Sequence, residues 1–268
     1  MVLVDLLFDP FGGRWGDLHE GALAAEQAGF DGVWLYDHLA GSVHRADRVL
    51  ECWTTLTAMA ATVPRIALGP LVLNVANRDP GVLGVMAATL QEVSGGRLLL
   101  GLGAGGGPGT PYPAEQVALG RMVGSDTARR RAVEEAVAKL RQVWSGTVGG
   151  VAGFLRPEPA PPIIIGGFGP KMADLAGRLG DGINVPGGPG LSRLVAIALE
   201  ACERSGRDPA GLLVTASGER RRLEEAGVHR MIVHVVRPTS MGFAGRATCS
   251  RAFRSALSTG DLRTPDPQ

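Results

Sequence analysis

Three short stretches of this 268-residue chain carry residue types that do chemistry. Asp37-His38 sets a carboxylate beside an imidazole, and histidine exchanges protons near neutral pH. Such a pair also serves as a plain surface hydrogen bond, and spacing alone leaves both readings open. The run from Gly101 to Gly107 reads Gly-Leu-Gly-Ala-Gly-Gly-Gly and holds a G-x-G-x-x-G pattern at Gly101, Gly103 and Gly106. A dinucleotide fingerprint must open directly into a helix whose N-terminus holds the pyrophosphate. Here Pro108-Gly109-Thr110-Pro111-Tyr112-Pro113 follows instead, which cannot be helical. The glycines then either let a flat ligand approach the backbone or form a mobile surface loop. Gly166-Gly167-Phe168-Gly169-Pro170 is the third stretch. It is either a tight turn or a set of backbone N–H groups aimed at an anion.

Other polar residues read as lesser candidates. His19 falls on a helix and is expected to be solvated. His44 follows the second strand, where it can line a pocket. His229 and His234 belong to the last strand and read as structural. Trp15 lies in the first loop, stacked on a substrate or packed in the core. No cluster has metal-ligand spacing, and no G-x-S-x-G nucleophile elbow is present.

The elements that must position these residues alternate along the chain. Apolar runs at Val2–Phe8, Gly32–Tyr36, Ile66–Leu73, Arg97–Leu102, Ile163–Ile165, Gly182–Val185, Leu212–Ala216 and His229–Val235 read as strands. Between them, stretches with helical spacing cover Asp17–Ala28, Glu51–Thr62, Pro80–Val93, Asp126–Trp144, Pro170–Leu179, Leu191–Ser205 and Glu219–Ala226. Gly29 is placed to stop the first helix, Pro80 to open the third, and Asp126 to cap the fourth. Eight strands alternating with seven helices call for parallel βα units, in a barrel or a doubly wound sheet, and the count of eight favours the barrel. In a barrel all three chemical stretches fall at the C-terminal ends of strands, on one face.

Composition narrows the class. The chain is 45% hydrophobic with a formal net charge of +1 and no block of like charge, so no nucleic-acid or membrane partner is expected. Cys52, Cys202 and Cys249 lie far apart, which argues against a disulfide framework and for a reducing compartment. Asp5 interrupts the apolar N-terminus, so no secretory leader is expected and the protein is read as cytoplasmic.

The order of the motifs resembles the luciferase-like family of flavin and deazaflavin oxidoreductases. The resemblance is carried by residues 25–39 (AEQAGFDGVWLYDHL), 65–74 (RIALGPLVLN), 94–105 (SGGRLLLGLGAG), 161–172 (PPIIIGGFGPKM) and 176–184 (AGRLGDGIN), with Cys202 to Pro209 also in keeping. It covers residues 1 to about 235 and implies a TIM-type (β/α)8 barrel with insertions. A barrel over residues 1–237 is expected, then a divergent tail over 238–268 with a last helix near Thr248–Leu257, the closing helix being altered.

The family likeness also implies the site. His38 falls where deazaflavin enzymes place a proton donor or base near the reactive ring carbon. Asp37 is expected beside the ring, with a non-prolyl cis peptide at Leu71–Val72 backing it and Asn74 at the end of that strand. Gly103 and Gly105 border the pocket, and Gly166 and Gly167 donate to the cofactor phosphate. The Asp-His-Leu run and the Gly-Gly-x-Gly-Pro loop are closer to users of coenzyme F-420, with FMN as the alternative. The implied activity is hydride transfer between F-420 and a small organic molecule; the alternatives are FMN-dependent monooxygenation and flavin binding without turnover. Homodimerisation through helices two and three is a family habit. Against the pattern, Gly106-Gly107-Pro108 replaces an aromatic and acidic stretch, and the first glutamate in that loop is Glu115.

Overall fold

Eight parallel staves form in the order the apolar runs foretell, and the computed structural model describes them within residues 2–235. The staves are β1 (Leu3–Phe8), β2 (Gly32–Leu35), β3 in two pieces (Ala67–Pro70 and Leu73–Asn74), β4 (Leu100–Gly103), β5 (Ile163–Gly166), β6 (Gly182–Val185), β7 (Leu213–Ala216) and β8 (Arg230–Val235). β1 pairs with β2 on one side and β8 on the other, and ladders run on from β8 through β7, β6, β5 and β4 to the second piece of β3. The first piece of β3 pairs with β2. A parallel bridge from Leu68 to Leu98 closes the ring, with Leu99 N–H donating to the Leu68 carbonyl at 2.9 Å. The barrel is therefore the fold. The tail over 238–268, its helix near 248–257, Cys249 and residues 236 and 237 lie outside the described residues.

Helices α1 (Trp15–Gln27), α2 (Cys52–Thr62), α3 (Pro80–Val93), α4 (Ala114–Ala118), α5 (Asp126–Trp144), α6 (Pro170–Leu179), α7 (Leu191–Arg204) and α8 (Arg220–Glu225) fill the connections. Local chemistry sets their ends. Gly29, at φ +84°, follows α1 in the left-handed region. Asp79 accepts from Val82 N–H at 2.9 Å, and Pro80 occupies the first turn of α3. The cap of α5 is Ser125, which accepts from Ala128 N–H; Asp126 sits one residue inside, where its charge suits the helix dipole. Besides three short 3-10 turns, two elements among the described residues have no forerunner in the sequence patterns. One is α4, hidden behind Pro108–Pro113. The other is a hairpin of Thr147–Val148 with Val151–Ala152, turned by Gly149 and Gly150, both at positive φ.

Period-two alternation splits the core into two layers. Outward residues such as Leu6, Val33, Leu35, Ile163 and Ile165 pack against the helices. Leu7, Trp34, Ile164 and Ile232 fill the barrel interior. Trp34 is fully buried, and Gly69 makes room for it: a Cβ there would stand 2.8 Å from its ring. Its indole N–H donates to Asp5 Oδ2 at 2.8 Å, and Arg230 forks onto the same carboxylate. With the interior plugged in this way, the rim that remains for a site is the one above Trp34, at the C-terminal ends of the staves.

Candidate active site at the barrel mouth

β2 delivers Tyr36, Asp37 and His38 to that rim in sequence. The Asp37 side chain is fully buried and turns sideways toward the third stave. Its carboxylate takes two bonds from Arg78, at 2.8 and 2.9 Å, and a third from Asn74 N–H at 2.9 Å. Arg78 also bridges to Glu51, which caps α2 by accepting from Trp53 and Thr54 N–H. Burial works against a charge on Arg78, but Asp37 and Glu51 outweigh it and push the guanidinium above its already high value. Asp37 is engaged in a brace that ties β2, the end of β3 and α2 together.

The brace holds the break in β3. The Leu71–Val72 peptide is cis, at the bond the family resemblance indicates. Leu71 N–H donates to the Leu35 carbonyl at 2.8 Å, so the bulge stays on β2. The turn sends the Val72 side chain across the top of the barrel. A Cβ at Gly166 would lie 2.9 Å from Val72 Cγ1, one at Gly101 3.0 Å from the same atom, and one at Gly103 closer still to Cγ2. Gly103 and Gly166 are both buried. Their lack of a side chain is thus explained by the Val72 methyls they receive, whereas Gly103 was expected to border the pocket and Gly166 to donate to a cofactor phosphate. Gly105, at φ +69°, packs on the Asn74 amide, which itself holds Ala76 N–H and Gln116. Gly167 N–H meets the Asn184 carbonyl at a long 3.3 Å. The next two N–H groups, of Phe168 and Gly169, have no partner among the described residues and precede α6.

His38 keeps an open edge, its side chain 15% exposed, while its Nδ1 lies 3.2 Å from Glu115 Oε1. The other Glu115 oxygen accepts from Leu39 N–H at 2.8 Å and Ala40 N–H at 3.0 Å. Burial alone raises the pKa of Glu115; the bonds from His38, Leu39 and Ala40 overcome this and hold it below the ordinary carboxylate value. An ionised Glu115 favours the His38 tautomer with the proton on Nδ1, which leaves Nε2 with its lone pair free. The acid partner missing from the loop after β4 is therefore supplied by α4. That short helix places Glu115 on His38 and Gln116 on Asn74. The only signal in the sequence was Pro113-Ala114-Glu115-Gln116, a proline and an acid opening a helix.

Aromatic rings complete the mouth. Phe11 stacks on His44 at a centroid distance of 4.0 Å and lies 5.2 Å from His38 and 6.3 Å from Tyr36. Tyr112 stands 6.0 Å from His38. His44 does reach the pocket, where burial, then His38, lower its pKa. His229 is structural, accepting from Val214 N–H. His234, read as structural, instead joins the rim through Tyr36. Trp15 lies in the first turn of α1, stacked on His19 and apart from this cluster. Residues 37, 38, 71, 72, 74, 103, 105, 166 and 167 thus share one rim.

The luciferase-like monooxygenase model matches residues 8–219. The chain belongs to that family. It is 31% identical over 211 residues to an F420-dependent glucose-6-phosphate dehydrogenase of Beutenbergia cavernae, covering 73% of this chain and 61% of that one. It is 30% identical over 207 residues to a 5,10-methylenetetrahydromethanopterin reductase of Methanolobus tindarius, covering 73% and 58%. The chain thus spans about six-tenths of these relatives' length. Among solved structures, the coenzyme F420-dependent tetrahydromethanopterin reductase of Methanopyrus kandleri superposes with a TM-score of 0.73 at 16% identity, over 97% of this chain and 98% of that one. That likeness is one of fold.

Proposed function

We propose that this family member is an oxidoreductase that moves a hydride between coenzyme F-420 and an organic substrate. The observation that carries the reading is the His38–Glu115 pair, poised on the same rim as the Leu71–Val72 bulge. The name of the related dehydrogenase supports the same cofactor.

The residues present fit a planar, phosphate-tailed group. Leu71 and Val72 offer an apolar ledge, propped from behind by Asp37 and Arg78. Phe168 and Gly169 offer free N–H groups at a helix start, so the phosphate is assigned to that pair and Gly167 rather than to Gly166. Gly105 and Asn74 form the side of the ledge. When bound, F-420 supplies an obligate hydride carrier. The protein's part is to exclude water, orient the substrate and handle its proton. His38 Nε2 takes the O–H proton during oxidation or returns it during reduction, and Glu115 stabilises the imidazolium that forms. A homodimer through α2 and α3 goes with this reading; Val82, Val85 and Val93 of α3 are exposed.

Fluorescence titration tests the cofactor. F-420 is expected to bind more tightly than FMN; equal or reversed affinity selects the FMN monooxygenase reading. His38→Ala is expected to lower turnover by about 10²–10⁴-fold while F-420 affinity stays. Unchanged turnover removes the proton role of His38, and F-420 binding with no turnover in the wild type selects the binding-protein reading.

A further inference from the structure

On the same rim as His38 runs a second hydrogen-bonded chain. Tyr36 Oη lies 3.0 Å from His234 Nδ1, and His234 Nε2 lies 3.1 Å from Ser217 Oγ. The three residues come from three staves: Tyr36 follows β2, Ser217 follows β7, and His234 is the penultimate residue of β8. Alternation makes Tyr36 and His234 inward positions, two residues above Trp34 and Ile232 of the interior plug. Both therefore stand above that plug. Nothing in the proton role of His38 uses them.

The chain has an unusual freedom. The hydroxyl hydrogens at its two ends rotate, and the imidazole between them carries its proton on either nitrogen. With Ser217 donating to Nε2 and Nδ1–H donating to Tyr36, the phenol hydrogen points outward to an acceptor. With every bond reversed, the phenol oxygen accepts from an outside donor. All members stay uncharged in both arrangements. A neutral imidazole is favoured because burial lowers the His234 pKa. The phenol is kept protonated: burial, with Asp9 and Tyr112 nearby, pushes Tyr36 up to about 12. The titratable groups around the chain are His38, His44, Asp9, Tyr112 and Glu115.

We propose that Tyr36, backed by His234 and Ser217, is the second group on the substrate's reacting oxygen, and that the substrate is a neutral alcohol or carbonyl compound. This deepens the hydride-transfer reading and rests on it. An alcohol and its carbonyl product differ at one atom: the first has a hydrogen to donate, the second only accepts. During oxidation the C–H electron pair leaves as hydride to the named acceptor, oxidised F-420. The O–H proton passes to His38 Nε2, and the C=O bond forms with the Tyr36 hydrogen bond on its oxygen. Reduction reverses each move. The flanking Phe11, His44 and Tyr112 rings provide a flat, apolar wall for the carbon skeleton.

The test uses the full chain with ¹⁵N-labelled histidine, F-420 and cyclohexanone as the neutral ketone. His234 is one of five histidines and is assigned with His234→Gln. With F-420 bound, cyclohexanone is expected to shift the two His234 ring nitrogens toward the Nδ1–H form, an effect lost in Tyr36→Phe. Reduction of cyclohexanone by reduced F-420 is expected to show KM raised about tenfold in Tyr36→Phe and less in His234→Gln. F-420 binding with no His234 response, or an unchanged KM in both variants, overturns the proposal alone. Failure to bind F-420 overturns it together with the hydride-transfer reading.

Discussion

At the N-terminal end of the staves Asp5 meets Arg230 through two bonds of 2.7 Å; at the mouth Asp37 meets Arg78 through bonds of 2.8 and 2.9 Å. Both carboxylates are wholly buried, and each takes a third bond, from the Trp34 indole below and from Asn74 N–H above. The surroundings differ. Arg230 has Asp5 as its acid, in a space so tight that a Cβ on Gly32 would lie 2.6 Å from Asp5 Oδ1. Arg78 keeps a second acid, Glu51, whose side chain is partly exposed. The lower pair joins the first stave to the last. The upper pair joins no ladder; it props a bulge. The same fork chemistry therefore seals the barrel at one end and props the rim at the other.

The comparison breaks most sharply at the lower pair. Asp5→Ala strands a buried guanidinium and an indole N–H with nothing to replace them. A loss of about 3–5 kcal/mol in urea unfolding is expected. Asp37→Ala leaves Arg78 still paired with Glu51, so the main cost is one unsatisfied Asn74 N–H, about 1–3 kcal/mol. Its F-420 affinity is nevertheless expected to fall at least tenfold, because the bulge loses its prop, whereas Asp5→Ala protein that remains folded keeps its affinity. If both variants lose stability and affinity in the same proportion, the two pairs are one kind of brace and the distinction fails.

The two ends were also unequally legible. Periodicity exposed all eight staves and seven helices, because alternation and helical spacing are local properties of the chain. It put Asp37 and His38 on the rim for the same reason. Asp5 passed as a mere interruption of an apolar strand, since its partner lies 225 residues away. Glu115 was hidden likewise, 77 residues from His38, in a helix whose proline-rich approach reads as loop. Arg78 had no mark beyond preceding a helix cap. The glycines of residues 101–107 and 166–167 were visible, but their reason was not: what fills the space above Gly103 and Gly166 is Val72, turned inward by a single peptide. The cis bond itself came from the family resemblance rather than from local pattern. His234 was assigned to structure because a strand histidine usually is structural, and only ring closure brings it to Tyr36.

Glu115 supplies the finest cut between mouth and barrel, because its charge supports both shape and chemistry. Its carboxyl titrates below the ordinary value of 4.5 in the folded chain. The folded state therefore releases this proton more readily than the unfolded chain does. The stabilisation this provides is complete above the ordinary value and fades as pH falls through the lowered one. Wild type is expected to exceed Glu115→Gln in unfolding free energy by about 1–2 kcal/mol at pH 7, with the gap narrowing as the pH falls below the ordinary carboxylate value. Asp5→Asn, which removes a charge from the lower pair and leaves the rim untouched, shifts the whole barrel without moving the pH dependence of turnover. Glu115→Gln instead lowers turnover most where His38 must become cationic, because the imidazolium loses its counter-charge. A gap between wild type and Glu115→Gln that persists unchanged from pH 7 to pH 3 would mean the glutamate holds the loop by shape alone, and His38 would then have to work without an acid behind it.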